Sequence, residues 1–414
     1  MKRRHFLQAA RLLIAPVGVL LIALSVPLVF LTTRRRHFRG KPPRILWGPT
    51  PLINYVYWSE AARNYGYTSR SAAYAVEYNY SHESLDFLLT EKFRYSRPLL
   101  LLPYLGFIWA MSNFDIFHFC FNLEGYLYRT PLRYAEYRLL RLLGKKVVVA
   151  PYGSDVQLPS MVIDKYKYSV GPYVQTDEKA VWRNIQHALK HSDFVMAGGA
   201  SVEYLPVFDL SFPILAISLD AWPASGVPKN DVPVIVHSTN HRHLKGTDAL
   251  VRVCDELEAE GHEFELRVVE QTRNTDARAI YESADIIADQ FIVGGYGMFG
   301  LEAMALGKPV IGYLRENLFE FNLPWSDCPI SNSSLDDLKE NLRLLLDDAE
   351  LRAQLGRQCR AYVEKYHSYE YIGAILDKVY RKVWYDEDPD WSGFAVRVGD
   401  GRNPLFDEGW TLHA

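Results

Sequence analysis

The residues best suited to chemistry lie in residues 285–312, which read DIIADQFIVGGYGMFGLEAMALGKPVIG. This order predicts a strand, a glycine-rich loop, a helix that opens near Met298 and a second strand. Glycines let a backbone approach a ligand closely, and the free amides at a helix start favour phosphate. Glu302, one turn into the helix, can accept hydrogen bonds from a ribose diol. A plain Rossmann unit is the alternative interpretation of the glycines.

A second candidate anion site lies in residues 237–247, which read HSTNHRHLKGT. Lys245 and Arg242 stand between a predicted strand and a predicted helix start. Fixed cations at such a position can hold a diphosphate and stabilise the charge that builds on a leaving group. The alternative is a solvated helix start, but the position between strand and helix favours an anion site.

Strands alternating with helices surround these segments and must position them. Apolar bursts at 44–47 and 114–122 are each followed by turns, and the same pattern restarts at Val234. This alternation predicts an α/β fold with parallel sheets covered on both faces. A chain of 414 residues is long enough for two Rossmann-like domains, which we place at 41–215 and 230–366, joined by a proline-containing linker.

The N-terminal segment predicts a membrane anchor within residues 1–40. Residues 12–33 contain no charged side chain, and about 20 apolar residues are enough to span the hydrocarbon core. A cleaved signal peptide is the alternative, but its apolar core is usually shorter. Basic residues flank both ends, so charge does not decide the orientation. Pro16 and Pro27 leave a shallow, non-spanning form open.

Charge and cysteine content narrow the class of protein. A formal net charge of −3 gives no reason to expect a nucleic-acid partner. The four cysteines are far apart and have no zinc-binding spacing, so we expect reduced thiols and no metal site.

The string FGLEAMALGKPVI closely resembles the donor-site helix of glycosyltransferase family 4. The resemblance covers residues 233–384 well and the first half only loosely. It implies the GT-B fold, in which two Rossmann-like domains face each other across a cleft, and retaining transfer from a nucleotide-sugar without a cofactor or metal. Residues 362–384 resemble the family's last helices, so we expect a closing helix at 367–385, followed by a polar tail at 386–414 without structure.

The resemblance also assigns roles to individual residues. Glu302 would bind the nucleotide ribose, and Lys245 and Arg242 the diphosphate. The expected catalytic residues are Lys245, Arg242 and Tyr152. The expected donor-binding residues are Asp289, Gly294, Gly295, Tyr296, Gly297, Met298, Phe299, Gly300 and Glu302. The expected residues of the acceptor loop and cleft are Gly48, Pro49, Thr50, Gly153, Ser154 and Asp155.

The chain departs from the family at two positions. The family has two glutamates with seven residues between them, and counting back from Glu302 places Gly294 where the sugar-binding glutamate stands. Asp289 or the backbone of 295–299 is the expected substitute. The family's His-Gly pair is Tyr152-Gly153 here, and a phenol donates a hydrogen bond but does not carry an imidazolium's charge.

These features predict an enzyme that adds a sugar to a lipid-linked or glycan acceptor at a membrane. The expected location is a bacterial inner membrane, with a single-pass or monotopic anchor and cytoplasmic catalytic domains, because sugar nucleotides are made in the cytoplasm. An inactive GT-B scaffold that binds a nucleotide or a partner enzyme is the alternative, because the carboxylate and the histidine are missing. A dinucleotide oxidoreductase is disfavoured, since no G-x-G-x-x-G follows the first strand.

Overall fold

The structure is a computed structural model of the chain. It describes residues 2–75, 85–93, 99–163, 168, 176–212, 215–228, 230–239, 241–270, 274–392, 403, 405–406 and 410.

The first domain is built on a parallel sheet with strand order β3-β2-β1-β4-β5-β6-β7. All its strand pairs are parallel, as apolar bursts separated by helices predict. Its strands are β1 Arg44–Trp47, β2 Thr68–Ala73, β3 Phe87–Leu88, β4 Ile116–Phe119, β5 Lys146–Val149, β6 Phe194–Ala197 and β7 Leu210–Ser211. Its helices are α1 Lys2–Phe38, α2 Ile53–Asn64, α3 Leu89–Lys92, α4 Leu102–Asn113, α5 Glu136–Leu142, α6 Pro159–Val162 and α7 Glu178–His191.

The second domain is built on a smaller parallel sheet with strand order β12-β11-β10-β8-β9. Its strands are β8 Val234–Ser238, β9 Glu265–Val269, β10 Ile286–Ala288, β11 Val310–Gly312 and β12 Ser331–Asn332. Its helices are α8 Arg242–Lys245, α9 Thr247–Ala259, α10 Asn274–Glu282, α11 Met298–Ala305, α12 Leu338–Asp347 and α13 Ala349–Tyr366. The loops after β8 and β10 lie at the carboxyl ends of neighbouring strands, where open parallel sheets bind ligands.

The last long helix, α14 Tyr369–Tyr385, leaves the second domain and packs against α2 of the first. Its side chains reach the sheet, because the Tyr380 hydroxyl lies 3.1 Å from His118 Nε2 and the Tyr67 hydroxyl donates to Asp377 over 2.7 Å. The crossing helix therefore ties the two domains together.

The described part of residues 386–414 forms no helix or strand, as expected, but it contacts the first domain. Asn403 is buried, and its backbone N–H donates to the Pro206 carbonyl over 3.0 Å. The rings of Phe406 and Trp410 lie 5.8 and 5.4 Å from the ring of Trp182. Aromatic residues thus fasten this end of the chain to the first domain in spite of its polar composition.

The N-terminal apolar helix is present as α1. Its Ala10–Phe38 stretch is long and apolar enough to cross a membrane by length and composition. One face of α1 nevertheless packs on the first domain, chiefly on α4.

Candidate active site

An ion pair stands at the start of α11. The Lys245 ammonium, at the end of α8, lies 2.7 Å from Asp289, which directly follows β10 and is buried. The second Asp289 oxygen accepts a hydrogen bond from the Gly297 N–H over 3.2 Å. The carboxylate is thus held between a cation and the positive end of a helix, which is the position where a helix N-terminus binds anions.

Glu302 lies one turn inside α11 and is 4 % exposed. Burial raises the pKa of Glu302 to about 8, although the Lys245 charge acts in the opposite direction. No hydrogen bond from the residues that the structure describes contributes to this pKa. Glu302 is therefore mostly protonated at neutral pH, and its hydrogen-bonding capacity remains open to a ligand.

The three glycines of the loop before α11 differ in what occupies the space beside them. A Cβ at Gly294 would lie 2.3 Å from Arg315 Cγ, and one at Gly295 would lie 2.7 Å from the Trp325 ring. A Cβ at Gly297 would meet no atom within 4 Å. The missing side chains of Gly294 and Gly295 therefore make room for other parts of the protein, and the approach of a donor to this loop stays a prediction. Only Gly297 faces open space.

Arg315 fills the space where the family's sugar-binding glutamate would stand. Gly294 has φ +77°, a backbone conformation that disfavours any other residue. Arg315 is buried, and its guanidinium lies 2.9 Å from the buried carboxylate of Glu203, which belongs to a 3-10 turn of the first domain. A carboxylate is thus present near this position, but it comes from the opposite domain and is held by an arginine.

A cavity of about 290 Å³ separates the two domains beside this pair. The first domain contributes Tyr152, Gln157 and Glu203, and the second contributes Met298 and Arg315. Its walls carry few charges beyond the ion pair, so the cavity suits an uncharged, hydroxyl-rich group such as a sugar ring.

The turn that carries Tyr152 is held in place by Asp155. The buried Asp155 carboxylate accepts hydrogen bonds from the N–H groups of Tyr152, Gly153 and Phe121, each over 3.0 Å. Burial raises the pKa of Asp155 to about 6, and these hydrogen bonds oppose that shift. Burial also raises the pKa of Tyr152 to about 12, so its phenol is a neutral hydrogen-bond donor in the cavity wall. Ser154 is exposed and lies outside that wall.

The loop at Gly48, Pro49 and Thr50 does not line the cavity in the described part of the chain. A Cβ at Gly48 would lie 2.0 Å from the Ala72 carbonyl oxygen, so this loop is packed against β2. Asn54, at the start of α2, reaches the cavity instead.

Arg242 also lies apart from the buried pair. It sits on the surface of α8, where its guanidinium lies 3.0 Å from Asp248 and 3.3 Å from Glu270. A role on the diphosphate remains a prediction and would require these contacts to be exchanged for the ligand.

Three further residues of the predicted donor set contact other protein groups in this structure, and Tyr296 also lines the cavity. The Tyr296 hydroxyl lies 2.8 Å from both the Tyr362 hydroxyl and His367 Nε2. The Phe299 ring lies under the Lys245 ammonium at 5.3 Å, a distance at which ring and cation attract. Gly300 makes room for Asp289, whose carboxylate oxygen would lie 2.6 Å from a Cβ there.

Four residues that line the cavity were not predicted from the sequence: Asn54, Gln157, Glu203 and Arg315. Glu203 and Arg315 are 112 positions apart, so no spacing signal joins them. Among the residues that the structure describes, no group of three or more His, Cys, Asp or Glu side chains converges on a possible metal position.

A protein-family match covers the part of the second domain that contains these residues. The model of the family "Glycosyl transferases group 1" matches residues 257–362, which include β10, the glycine loop, α11 and most of α13. A Corynebacterium glutamicum protein, named GDP-mannose-dependent monoacylated alpha-(1-6)-phosphatidylinositol monomannoside mannosyltransferase, is 38 % identical over 87 residues. That stretch is 21 % of this chain and 23 % of the relative, so the likeness spans less than a quarter of either protein.

Solved structures agree on the fold. Sucrose-phosphate synthase from Thermosynechococcus elongatus superposes with a TM-score of 0.54 at 14 % identity, over 84 % of this chain and 100 % of that one. Anabaena HepE in complex with UDP-glucose superposes with a TM-score of 0.51 at 11 % identity, over 81 % and 99 %.

The chain therefore has the GT-B fold, with two Rossmann-like domains that face each other across a cleft. Residues 257–362 of its second domain match the glycosyl transferases group 1 family.

Proposed function

We propose that this chain transfers a sugar, with retention of anomeric configuration, from a nucleotide-sugar donor to a membrane-associated acceptor. The observation that carries the proposal is the arrangement at the start of α11, where the Lys245–Asp289 pair meets the helix N-terminus one turn from the buried Glu302 carboxyl. A cation and helix amides suit a diphosphate, and the carboxyl suits a ribose diol.

The chemical step places few demands on the protein. The bond from the sugar's C1 to the diphosphate oxygen breaks, and a bond from C1 to the acceptor hydroxyl oxygen forms on the same face. The hydroxyl proton passes to the departing diphosphate, so no protein nucleophile is needed. Lys245 stabilises the charge that builds on the diphosphate, and the protein otherwise positions the two substrates.

The cavity between the domains is the proposed place of the sugar. The Glu203 carboxylate, held by Arg315, replaces the family's glutamate as the acceptor for sugar hydroxyls. Tyr152 donates a hydrogen bond from the opposite wall but does not act as a base, because its pKa is raised to about 12.

A membrane-associated acceptor, lipid-linked or glycan, is supported by two observations. The chain has a helix long and apolar enough for a membrane, and the name of the Corynebacterium relative describes transfer to a phosphatidylinositol monomannoside. A helix that holds the enzyme at the bilayer raises its effective concentration near such acceptors. Cytoplasmic catalytic domains at a bacterial inner membrane would give the enzyme access to its donor.

The proposal is tested by turnover. Purified full-length protein is incubated with a panel of UDP- and GDP-sugars, with and without bacterial lipid extract, and nucleotide release is measured. We expect release with one or a few donors, increased by lipid, and a product whose anomeric configuration by NMR equals that of the donor. An inverted product would contradict the retaining mechanism.

A scaffold without activity is the second candidate. It is favoured by Arg315, which fills the space beside Gly294 where the family has a glutamate, and by the protonated Glu302. Nucleotide binding by calorimetry, with no release from any donor in either condition, would support the scaffold and contradict the enzyme.

A further inference from the structure

The N-terminal helix α1 has two unlike faces. Its buried residues between positions 15 and 33 recur at helical spacing, so they share one side of the helix. They are Ala15, Gly18, Ile22, Val29 and Thr33. This side is the face that packs on the first domain.

The opposite face is apolar and exposed. Its residues follow the same spacing half a turn away, and they are Leu13, Val17, Leu20, Leu24, Leu28 and Leu31, with exposed fractions of 81, 46, 58, 70, 68 and 64 %. A continuous stripe of exposed leucine and valine over this length is far larger than isolated surface apolar residues, and such stripes mark contact with lipid or protein.

The contacts on the docked face are specific and extend along the helix. A Cβ at Gly18 would lie 2.4 Å from the Tyr104 ring, so that ring packs directly on the helix backbone. Near the other end, Arg36 lies 3.2 Å from the fully buried carboxylate of Asp115. The His37 ring then contacts the Trp384 ring of the crossing helix, with centroids 5.0 Å apart.

This docking conflicts with a helix that crosses the bilayer. Residues 15–33 extend over about 27 Å at 1.5 Å per residue, which is close to the ~30 Å of the hydrocarbon core. If they crossed it, Tyr104 and the rest of α4 alongside would also lie within the bilayer. Yet α4 leads directly into β4, beside Asp115 and its ion pairs with Arg44 and Lys145.

The charges around α1 identify the surface that would cover its exposed face. No aspartate or glutamate precedes Glu60, whereas residues 1–44 contain many lysines and arginines. Arg34 and Arg35 are exposed and continue the apolar stripe by one turn. A stripe of leucines followed along the helix by arginines suits an anionic lipid leaflet. The leucines would enter the acyl region, and the arginines would contact the headgroups.

We propose that α1 lies in the plane of one membrane leaflet, with its leucine stripe in the lipid and its other face on the first domain. The anchor is then monotopic, and the N-terminus lies on the same side of the membrane as the catalytic domains. This inference deepens the proposed membrane location but is independent of sugar transfer.

Protease access to the N-terminus tests the proposal on the natural sequence. The full chain, with an epitope tag at its N-terminus, is expressed in bacteria, and sealed inverted membrane vesicles expose the cytoplasmic face to added protease. We expect the tag and the catalytic domains to be digested together. A tag that stays protected until detergent is added, while the domains are digested, would show a spanning helix and overturn the proposal.

A paired substitution tests the stripe itself. The double variant Leu20→Glu and Leu24→Glu places two charges on the exposed face and leaves the docked face intact, so we expect at least a tenfold decrease in membrane-bound protein by sedimentation. Leu344→Glu, at a comparably exposed leucine of α12, is the matched control and should remain bound. Unchanged binding of the double variant would overturn the proposal.

Two controls distinguish misfolding of a variant, loss of the membrane location and loss of the proposed activity. Circular dichroism of both variants should match the unsubstituted protein, since the changed side chains are exposed. Unsubstituted protein found only in the soluble fraction would overturn the membrane location as a whole, whereas turnover of a nucleotide-sugar by that soluble protein would leave the proposed activity standing.

Discussion

The two sides of the proposed donor site are built in different ways. The nucleotide side lies within the second domain, where Lys245 ends α8, Asp289 follows β10 and Glu302 lies on α11. The sugar side is shared, since Arg315 belongs to the second domain and Glu203 to the first. The nucleotide side therefore persists if the domains move apart, whereas the sugar side is complete only while they are together.

This difference suggests an order of events. If the domains separate, a donor meets the nucleotide side first, and the Glu203–Arg315 pair forms only when the domains come together. The following variants separate the two sides, from the largest expected effect to the smallest.

Breaking the shared pair should affect stability most. Glu203→Gln leaves the buried Arg315 guanidinium without its counter-charge, and loss of one partner of a buried pair costs about 3–5 kcal/mol. We expect a decrease of that size in the free energy of unfolding by urea denaturation, with unchanged affinity for the bare nucleotide diphosphate. The control Glu340→Gln, at an exposed pair with Arg343, should change stability by less than about 0.5 kcal/mol. Equal effects of the two variants would contradict the buried pair.

Removing Lys245, the cation of the nucleotide side, should weaken nucleotide binding more than any other variant. Lys245→Ala takes away the charge expected on the diphosphate, and we expect about a 100-fold loss of nucleotide affinity by calorimetry, which is about 2.7 kcal/mol. Lys339→Ala, at an exposed lysine that pairs with Glu256 and Glu260, is the control and should bind normally. Wild-type affinity in Lys245→Ala would place the donor elsewhere.

Two glycines of the loop before α11, Gly294 and Gly297, provide a matched pair of variants. Gly294→Ala puts a Cβ into Arg315 at a φ of +77°, so we expect a loss of about 1–3 kcal/mol in unfolding free energy. Gly297→Ala has open space and a φ of −103°, so its stability should change little. A reversed order in urea denaturation would show that Arg315 does not fill the space at Gly294.

The buried carboxyl of Glu302 predicts a pH dependence. Its pKa is about 8 in the folded protein, so at pH 7 it is mostly protonated, whereas a carboxylate accepts both hydrogen bonds of a ribose diol. Donor binding should therefore release a proton at pH 7, and affinity should rise with pH up to about 8. The measurement is calorimetry at pH 7 in two buffers of different ionisation enthalpy.

Glu302→Gln serves as the control for this proton release. The variant should bind about tenfold more weakly and show the same binding enthalpy in both buffers, apart from other groups common to both proteins. The sign for stability is opposite to that for binding: because the folded pKa of Glu302 lies above the ordinary 4.5, its contribution to stability falls as pH rises from about 4.5 to about 8. Buffer-dependent enthalpy that persists in Glu302→Gln would assign the proton to another group.

The sequence predicts local structure, but not the contacts between residues that are far apart in the chain. Alternating strands and helices predicted two parallel sheets, and the segment around Glu302 predicted a strand, a loop and a helix starting at Met298, as observed. These features depend on residues a few positions apart. The Arg315–Glu203 pair and the packing of Phe406 on Trp182 join distant residues, so no periodicity or spacing reveals them.

The glycines show a second reason for the limit. Gly294 and Gly297 look alike in the sequence, but one makes room for an arginine side chain and the other faces the cleft. What fills the space beside a glycine is decided by tertiary packing and not by its neighbours in the chain.

Hydrogen exchange measured by mass spectrometry, with and without a nucleotide diphosphate, tests the central claim most directly, because it reports where the donor binds. Using the nucleotide that gives the strongest binding, we predict slower exchange in residues 241–247 and 289–302 of the second domain. Slower exchange confined to the first domain, or no difference with any nucleotide, would contradict a donor site at the start of α11.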